Sequence, residues 1–207
     1  MSESRDITSF RRMHPQKFLL WVYIISTTMI FAALSSAVLV SMADAVQNGT
    51  WRFFSLPDSF TVSTLVVLLS SASMQYAYNK ARQDAQRPMR LALLITMGLG
   101  AIFLAIQFLG FTTLFELGIA LVDNNFVNPA GELVKSNSGG FLYIIVGMHG
   151  LHLLGALAVL LVMGILAFMN RLHPGRLLGL ELATIFWHAL GFLWLYLFIF
   201  LSVIYSS

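Results

Sequence analysis

The chain has 207 residues, of which 58% are hydrophobic and only 10% charged, whereas a water-soluble domain carries roughly 25% charged residues; the composition excludes an ordinary soluble domain. It has no cysteine, which excludes disulfides, thiolate metal sites and covalent c-type haem attachment. The net charge of +3 does not point to nucleic acid, because the basic residues are sorted by loop instead of gathered in one patch.

The opening segment, Met1 to Lys17, has no apolar core and no small-residue cleavage site, so it does not read as a signal peptide. Five apolar runs follow, near residues 18–43, 59–79, 91–118, 139–168 and 178–205. Each is long enough to cross a hydrocarbon core of ~30 Å at ~1.5 Å per helical residue. The lipid interior offers no water to backbone N–H and C=O groups, so each run is predicted to be a helix. The expected architecture is all-α: one polytopic bundle of five transmembrane helices filling residues 1–207, without a second soluble domain.

In the first helix, Ser26-Thr27-Thr28 and Ser35-Ser36 are the polar positions; in the second, Ser63-Thr64, Ser70-Ser71 and Ser73. Small hydroxyls in a membrane helix bond back to their own carbonyls and let neighbours approach closely. The first loop, Asp44 to Asp58, carries Trp51, Phe53 and Phe54, which suit a headgroup layer, and Pro57-Asp58-Ser59 reads as a helix start. Arg87-Pro88 restarts the chain in the third helix, where Thr96, Gly100, Phe103 and Gln107 share one face. Gln107 is expected to hydrogen-bond to a neighbouring helix. The third loop, Asp123 to Ser138, is the longest, with turn chemistry at Asn128-Pro129-Ala130-Gly131 and Asn137-Ser138-Gly139-Gly140.

The fourth helix holds Gly147-Met148-His149-Gly150-Leu151-His152. Two histidines at i, i+3 share a face, which suits metal or haem ligation, a lipid headgroup, or two interhelical hydrogen bonds. Hydrogen bonding or lipid contact is preferred to a metal, since zinc sites need three or four protein ligands. After the tight loop His173-Pro174-Gly175, the fifth helix carries Glu181, Thr184, His188 and Gly191 in one stripe, with Trp187 and Trp194 as packing or interface residues. Glu181 lies near the helix start, where a charge reaches the interface by snorkelling. It reads as paired or headgroup-facing in preference to a proton relay. Counted from Phe168 and Leu178, His188 lies ~15 Å deep, His152 ~24 Å and His149 ~28 Å. An offset of ~9 Å or more argues against one haem between His188 and either fourth-helix histidine. Gln107, at ~25 Å, comes level with His152, and Thr27, at ~14 Å, level with His188.

Ten of the twelve basic residues fall on one side: Arg5, Arg11, Arg12 and Lys17 before the first helix, Lys80, Arg82, Arg87 and Arg90 in or beside the second loop, and Arg171 and Arg176 in the fourth. Arg52 and Lys135 are the other two. The positive-inside rule then predicts a cytoplasmic N-terminus and an external C-terminus.

Taken together these strings resemble subunit III of the haem-copper (cytochrome c) oxidases, in the short five-helix bacterial form, over about Gln16 to Tyr205. Gly147–His152 is similar to the family's G-F-H-G-x-H signature. Glu181 to His188, with Phe186-Trp187-His188 and then Trp194, is similar to its E-x-x-x-x-Y-W-H…W pattern. Thr96, Gly100, Phe103 and Gln107 match a third-helix T-x-x-x-G-x-x-F-x-x-x-Q pattern, and Leu56-Pro57 with Ser63-Thr64 and Ser70-Ser71 resembles the next family string. The chain departs from the family at three acids: Thr27 follows Ser26 where the family has glutamate, and Gly110 and Gly191 stand where it often has acids.

The resemblance implies an accessory, non-catalytic subunit of a respiratory terminal oxidase in a bacterial inner (plasma) membrane. It implies no redox centre in this chain, haem and copper in the partner subunits I and II, and a place in aerobic electron transport and, beyond that, in a respiratory supercomplex. It further implies structural phospholipid in a V-shaped cleft between the first two helices and the rest. His149, His152, Glu181 and His188 are then candidates for the cleft walls. Arg90, Arg171, Arg176 and His173 are candidates for its cytoplasmic mouth, and Gln107 for an interhelical polar contact. The missing carboxylates weigh against a proton-feeding role for the subunit itself. The alternatives are a small haem- or quinone-binding membrane cytochrome, motivated by histidines on two helices, and a multi-pass transporter, for which neither an internal repeat nor a mid-helix proline speaks.

Overall fold

The computed structural model describes residues 14–205 apart from 55, 120, 122–123, 129–130 and 173–176. Arg5, Arg11, Arg12, His173 and Arg176, with the Pro129-Ala130 turn, lie outside the described residues. Five helices carry the fold: α1 (Pro15–Gln47), α2 (Asp58–Arg82), α3 (Gln86–Glu116), α4 (Ser138–Phe168) and α5 (Leu178–Tyr205). All five are long and apolar enough to cross a membrane. Both proline starts are local chemistry: Pro15 opens α1 and Pro88 sits in the first turn of α3, where no intrahelical N–H is required.

Four of the helices end alike. After α1, α2, α3 and α4 comes one residue at positive φ: Gly49 (66°), Asp84 (53°), Gly118 (72°) and Asn170 (54°). Each time its N–H, and that of the next residue, bond back into the last turn, as in Gly118 to Phe115 O (3.0 Å) and Ile119 to Leu114 O (2.9 Å). This paired closure satisfies carbonyls that the helix leaves bare. It also turns the chain sharply, which suits spans joined by short loops.

The bundle is built around α5. Leu180, Trp187, Trp194, Leu197 and Leu201 are all buried on it. Helices α2 and α3 pack closely as an antiparallel pair, α5 lies against α2 and α4, and α3 against α4. Helix α1 packs on α4 and α5 through one stripe, Thr27, Phe31, Ser35 and Val38. Its most apolar window is 17% buried, against 44% for α5, so α1 is the peripheral span. The expected division of the first two helices from the rest is therefore corrected: α2 belongs with α3 and α5, because its hydroxyl face bonds to both, and α1 alone stands off.

One end of the bundle carries Lys17, Lys80, Arg82, Arg90 and Arg171. The other end holds what sequence reading missed. The third loop, expected as turns alone, forms an antiparallel hairpin of β1 (Asn124–Val127) and β2 (Leu133–Ser136), in the register Asn125↔Lys135 and Phe126↔Val134. The membrane-spanning part is all-α, and the hairpin is the exception outside it. Gly131 (φ 84°) provides the left-handed residue its turn needs. Trp51 is also corrected: it is no headgroup anchor but buried, stacked on Tyr205 with ring centroids 5.6 Å apart. The cause is the first loop folding over the end of α5, where the Phe54 N–H donates to Tyr205 O (3.1 Å) and the Tyr205 hydroxyl to Ser138 O (2.6 Å).

Candidate functional site

The polar side chains inside the spans are the candidate site: most hydroxyls bond back to a carbonyl of their own helix, as in Thr96 to Ala92 O (2.9 Å) and Thr184 to Leu180 O (2.8 Å), and a smaller set bonds between helices. On α2, the Ser63 and Thr64 hydroxyls both donate to Phe60 O (2.8 Å each), and the Ser70 hydroxyl to Val67 O (2.7 Å). Their protons spent, the same oxygens accept from other helices. Gln107 Nε2 of α3 donates to Ser63 Oγ (2.7 Å), Trp194 Nε1 of α5 to Thr64 Oγ1 (3.1 Å), and Trp187 Nε1 of α5 to Ser70 Oγ (3.1 Å). Ser73 donates across to Ala92 O of α3 (3.0 Å). In hydrocarbon, an amide or indole N–H left bare would be costly. The hydroxyl face of α2 is therefore a row of acceptors that ties three helices together.

The small positions of the strings serve the same core. A Cβ on Gly100 would lie 2.7 Å from Trp187 Cη2, and one on Gly110 would lie 2.9 Å from Ser59 Oγ and 3.0 Å from Phe60 Cε2. A Cβ on Gly191 would meet Ser71 Oγ at 3.2 Å. The two glycines standing in place of acids are thus packed against their neighbours, Gly110 more tightly than Gly191. Thr27, in place of the third acid, is buried on the α5-facing side of α1.

The sequence-derived candidates do not converge on one cleft. His149 is fully buried, its ring 5.2 Å from that of Trp194, 6.2 Å from Phe103 and 6.3 Å from Phe31. Neither of its nitrogens has a hydrogen-bond partner within the chain, and Gln107 Oε1 has none either. A buried unpaired polar group costs about 1–3 kcal/mol. His149 and Gln107 line one groove of about 300 Å³ between α3 and α4. His152 shares Phe31 as a neighbour (ring centroids 5.7 Å apart) but opens on another groove: Nδ1 donates to Met148 O (2.8 Å), and the ring borders a groove of about 550 Å³ between α1, α4 and α5. Gln107, level with His152 by depth, makes its expected interhelical bond to Ser63 of α2 and not to that histidine. His188 faces α2, with Nε2 3.2 Å from Gln75 Oε1. The histidines of α4 and α5 thus present to different neighbours and do not face each other across one cavity.

The charged candidates lie at the basic end. Glu181 accepts from Lys17 Nζ (2.6 Å), which joins the start of α5 to the start of α1. Arg90 donates to Asn170 Oδ1 and lies over the Phe168 ring, 5.7 Å from its centroid. Arg171 is exposed, and its backbone N–H closes the end of α4 on Leu166 O (2.9 Å). Among the described residues, no three His, Asp or Glu side chains are gathered in a metal-binding arrangement. Sequence reading missed the acceptor role of Ser63, Thr64 and Ser70. Their spacing on the face opposite two tryptophans and a glutamine is the signal that could have revealed it.

Known proteins place this arrangement. The chain is 30% identical over 193 residues to cytochrome c oxidase subunit 3 of Thermostichus vulcanus, covering 89% of this chain and 85% of that one. It is 27% identical over 185 residues to cytochrome c oxidase subunit 3 of Marchantia polymorpha, covering 86% of this chain and 64% of that one. It is 22% identical over 180 residues to a protein of Staphylococcus saprophyticus described as "Probable quinol oxidase subunit 3", covering 86% and 83%. The model of the family described as cytochrome c oxidase subunit III matches residues 9–206, a stretch that takes in all five spans, and the chain belongs to that family.

Proposed function

We propose that this chain is an accessory subunit of a haem-copper terminal oxidase, without a redox centre of its own, that braces the catalytic subunit from within the membrane. The observation that carries this reading is the family match over residues 9–206. The fate of the motif residues agrees with it: Gln107, Trp187 and Trp194 spend their N–H groups on α2, as a load-carrying bundle requires and a redox site does not. Its partners are subunits I and II, which hold the haem and copper. Relatives are named for both cytochrome c and quinol, so the electron donor follows from the complex and not from this fold.

Helix association in lipid rests on close packing and interhelical hydrogen bonds, not on hydrophobic transfer. A rigid core built that way leaves the outer faces, rich in leucine and phenylalanine, free to meet a second bundle or acyl chains. The groove of about 550 Å³ between α1, α4 and α5 is the proposed phospholipid seat. Leu20, Val159 and Phe186 offer it an apolar wall, and His152 a polar edge. In the proposed orientation the basic end faces the cytoplasm of a bacterial cell.

The test is purification of the tagged chain under mild detergent. Larger haem-bearing subunits are expected to come with it, and a stoichiometric haem or copper on the separated chain would overturn the reading. An oxidase lacking this subunit should keep its haem spectrum and initial rate but lose activity several-fold faster during sustained turnover. Gly155→Leu tests the lipid seat, because a Cβ on Gly155 of this groove meets nothing within 4 Å. The variant is expected to retain less phospholipid per complex at an unchanged melting temperature.

A further inference from the structure

We infer that the groove between α3 and α4 is a binding site for a membrane-soluble molecule carrying a hydroxyl group on an apolar body. Its floor holds two polar side chains that the fold leaves unanswered. Ser63 has given its proton to Phe60 O, so its oxygen accepts, and Gln107 must turn its NH2 toward it. That fixes Gln107 Oε1 as the remaining atom, a buried acceptor with no partner. His149 brings two more unpaired nitrogens; a neutral imidazole offers one donor and one acceptor. Both residues are more than nine-tenths buried and both line the same groove. A hydroxyl has the chemistry to answer either one, donating to Gln107 Oε1 or accepting from the imidazole N–H.

The walls say what the hydroxyl is attached to. The groove holds about 300 Å³, the lower end of the range for small-molecule sites. Its rim is Phe108, Leu151 and Leu154, which are 67%, 64% and 53% exposed on the outer face. An apolar body can enter from the bilayer between them. A water at the polar floor would leave the apolar walls of the groove uncovered, whereas an apolar body fills them. Gly147 and Gly150 keep the space open, since a Cβ on either would meet nothing within 4 Å. This groove shares only Leu151 with the α1–α4–α5 groove, so labelling of residues 103–111 is the part of the readout that belongs to it alone, and the inference does not rest on assignment to an oxidase.

The test is photolabelling of the full chain in its native membrane complex with a diazirine-bearing long-chain primary alcohol, beside the matching methyl ether. Labelling is expected to concentrate on peptides spanning residues 103–111 and 146–154, with the ether at least tenfold weaker. Gly150→Leu should reduce labelling about tenfold at an unchanged melting temperature, because its side chain enters open space. Gln107→Leu should abolish the preference for alcohol over ether. Competition by an unlabelled alkyl hydroquinone more effectively than by hexadecanol would assign the site to phenolic molecules, and the reverse order to aliphatic alcohols. Equal labelling by alcohol and ether, labelling spread evenly over all outer faces, or a groove shielded by a neighbouring subunit would each overturn the proposal.

Discussion

Glycine, serine and tryptophan carry the specificity of this bundle. Gly100 lies where a methyl group would press on Trp187 Cη2 at 2.7 Å and Leu157 Cδ2 at 2.9 Å. Trp187 cannot swing away without giving up its bond to Ser70. Gly100→Ala is expected to destabilise the bundle by about 1–3 kcal/mol, the usual cost of overpacking, seen as a lowered thermal midpoint in detergent. Gly147→Ala, on the neighbouring helix with nothing within 4 Å of its Cβ, is expected to leave that midpoint unchanged or slightly raised. Equal loss in both variants would mean that glycine acts here through helix flexibility, not through close approach.

Among the elements, α1 is the one held by the fewest anchors. Phe31 is fully buried against the His149 and His152 rings, and truncating such a phenylalanine to alanine costs about 3–5 kcal/mol. The loss falls on the α1 contact alone, since α2, α3 and α5 are tied through Ser63, Thr64 and Ser70 and α4 packs on α3 and α5. Phe31→Ala is therefore expected to make α1 accessible to protease or to labelling before the remaining helices melt. The Lys17–Glu181 pair is the second anchor, but both side chains are about a third exposed (32% and 30%). Water and salt weaken such a pair to about 0–1 kcal/mol. Lys17→Met or Glu181→Gln should shift α1 accessibility far less than Phe31→Ala does. If the charge variants free α1 as readily, the ion pair is more shielded at the membrane interface than its exposure indicates.

For the whole molecule, the sorting of basic residues assigns the α2–α3 turn to the cytoplasm and the hairpin to the outside. The chain has no cysteine, so single cysteines report cleanly. Gln83→Cys, exposed in the basic α2–α3 turn, is expected to react with a membrane-impermeant maleimide only in inside-out vesicles. Leu133→Cys, 73% exposed on the hairpin, is expected to react only in right-side-out vesicles or whole cells. The reverse pattern would invert the assigned orientation and place the hairpin in the cytoplasm.

How much of this could be read from residue order follows from the range of each interaction. Five spans and the sorting of charge depend on runs of neighbouring residues against a slab of fixed thickness, and helix periodicity put Thr96, Gly100, Phe103 and Gln107 on one face. The family strings were also local. The amino-acid sequence by itself therefore determined a five-span helical membrane protein of the subunit III family. What it could not reveal was which faces meet. That His188 turns to Gln75 while His149 turns to Trp194, that α5 meets α2 through Trp194 and Thr64, and that Gln107 reaches Ser63 and not His152 are contacts between residues 44 to 130 positions apart. Depth counting brings such residues level but says nothing of rotation about the helix axis. Only the tertiary structure decided these pairings, because in hydrocarbon an unpaired N–H is costly, and the helix rotations that satisfy Gln107, Trp187 and Trp194 together leave His149 unpaired beside an open groove.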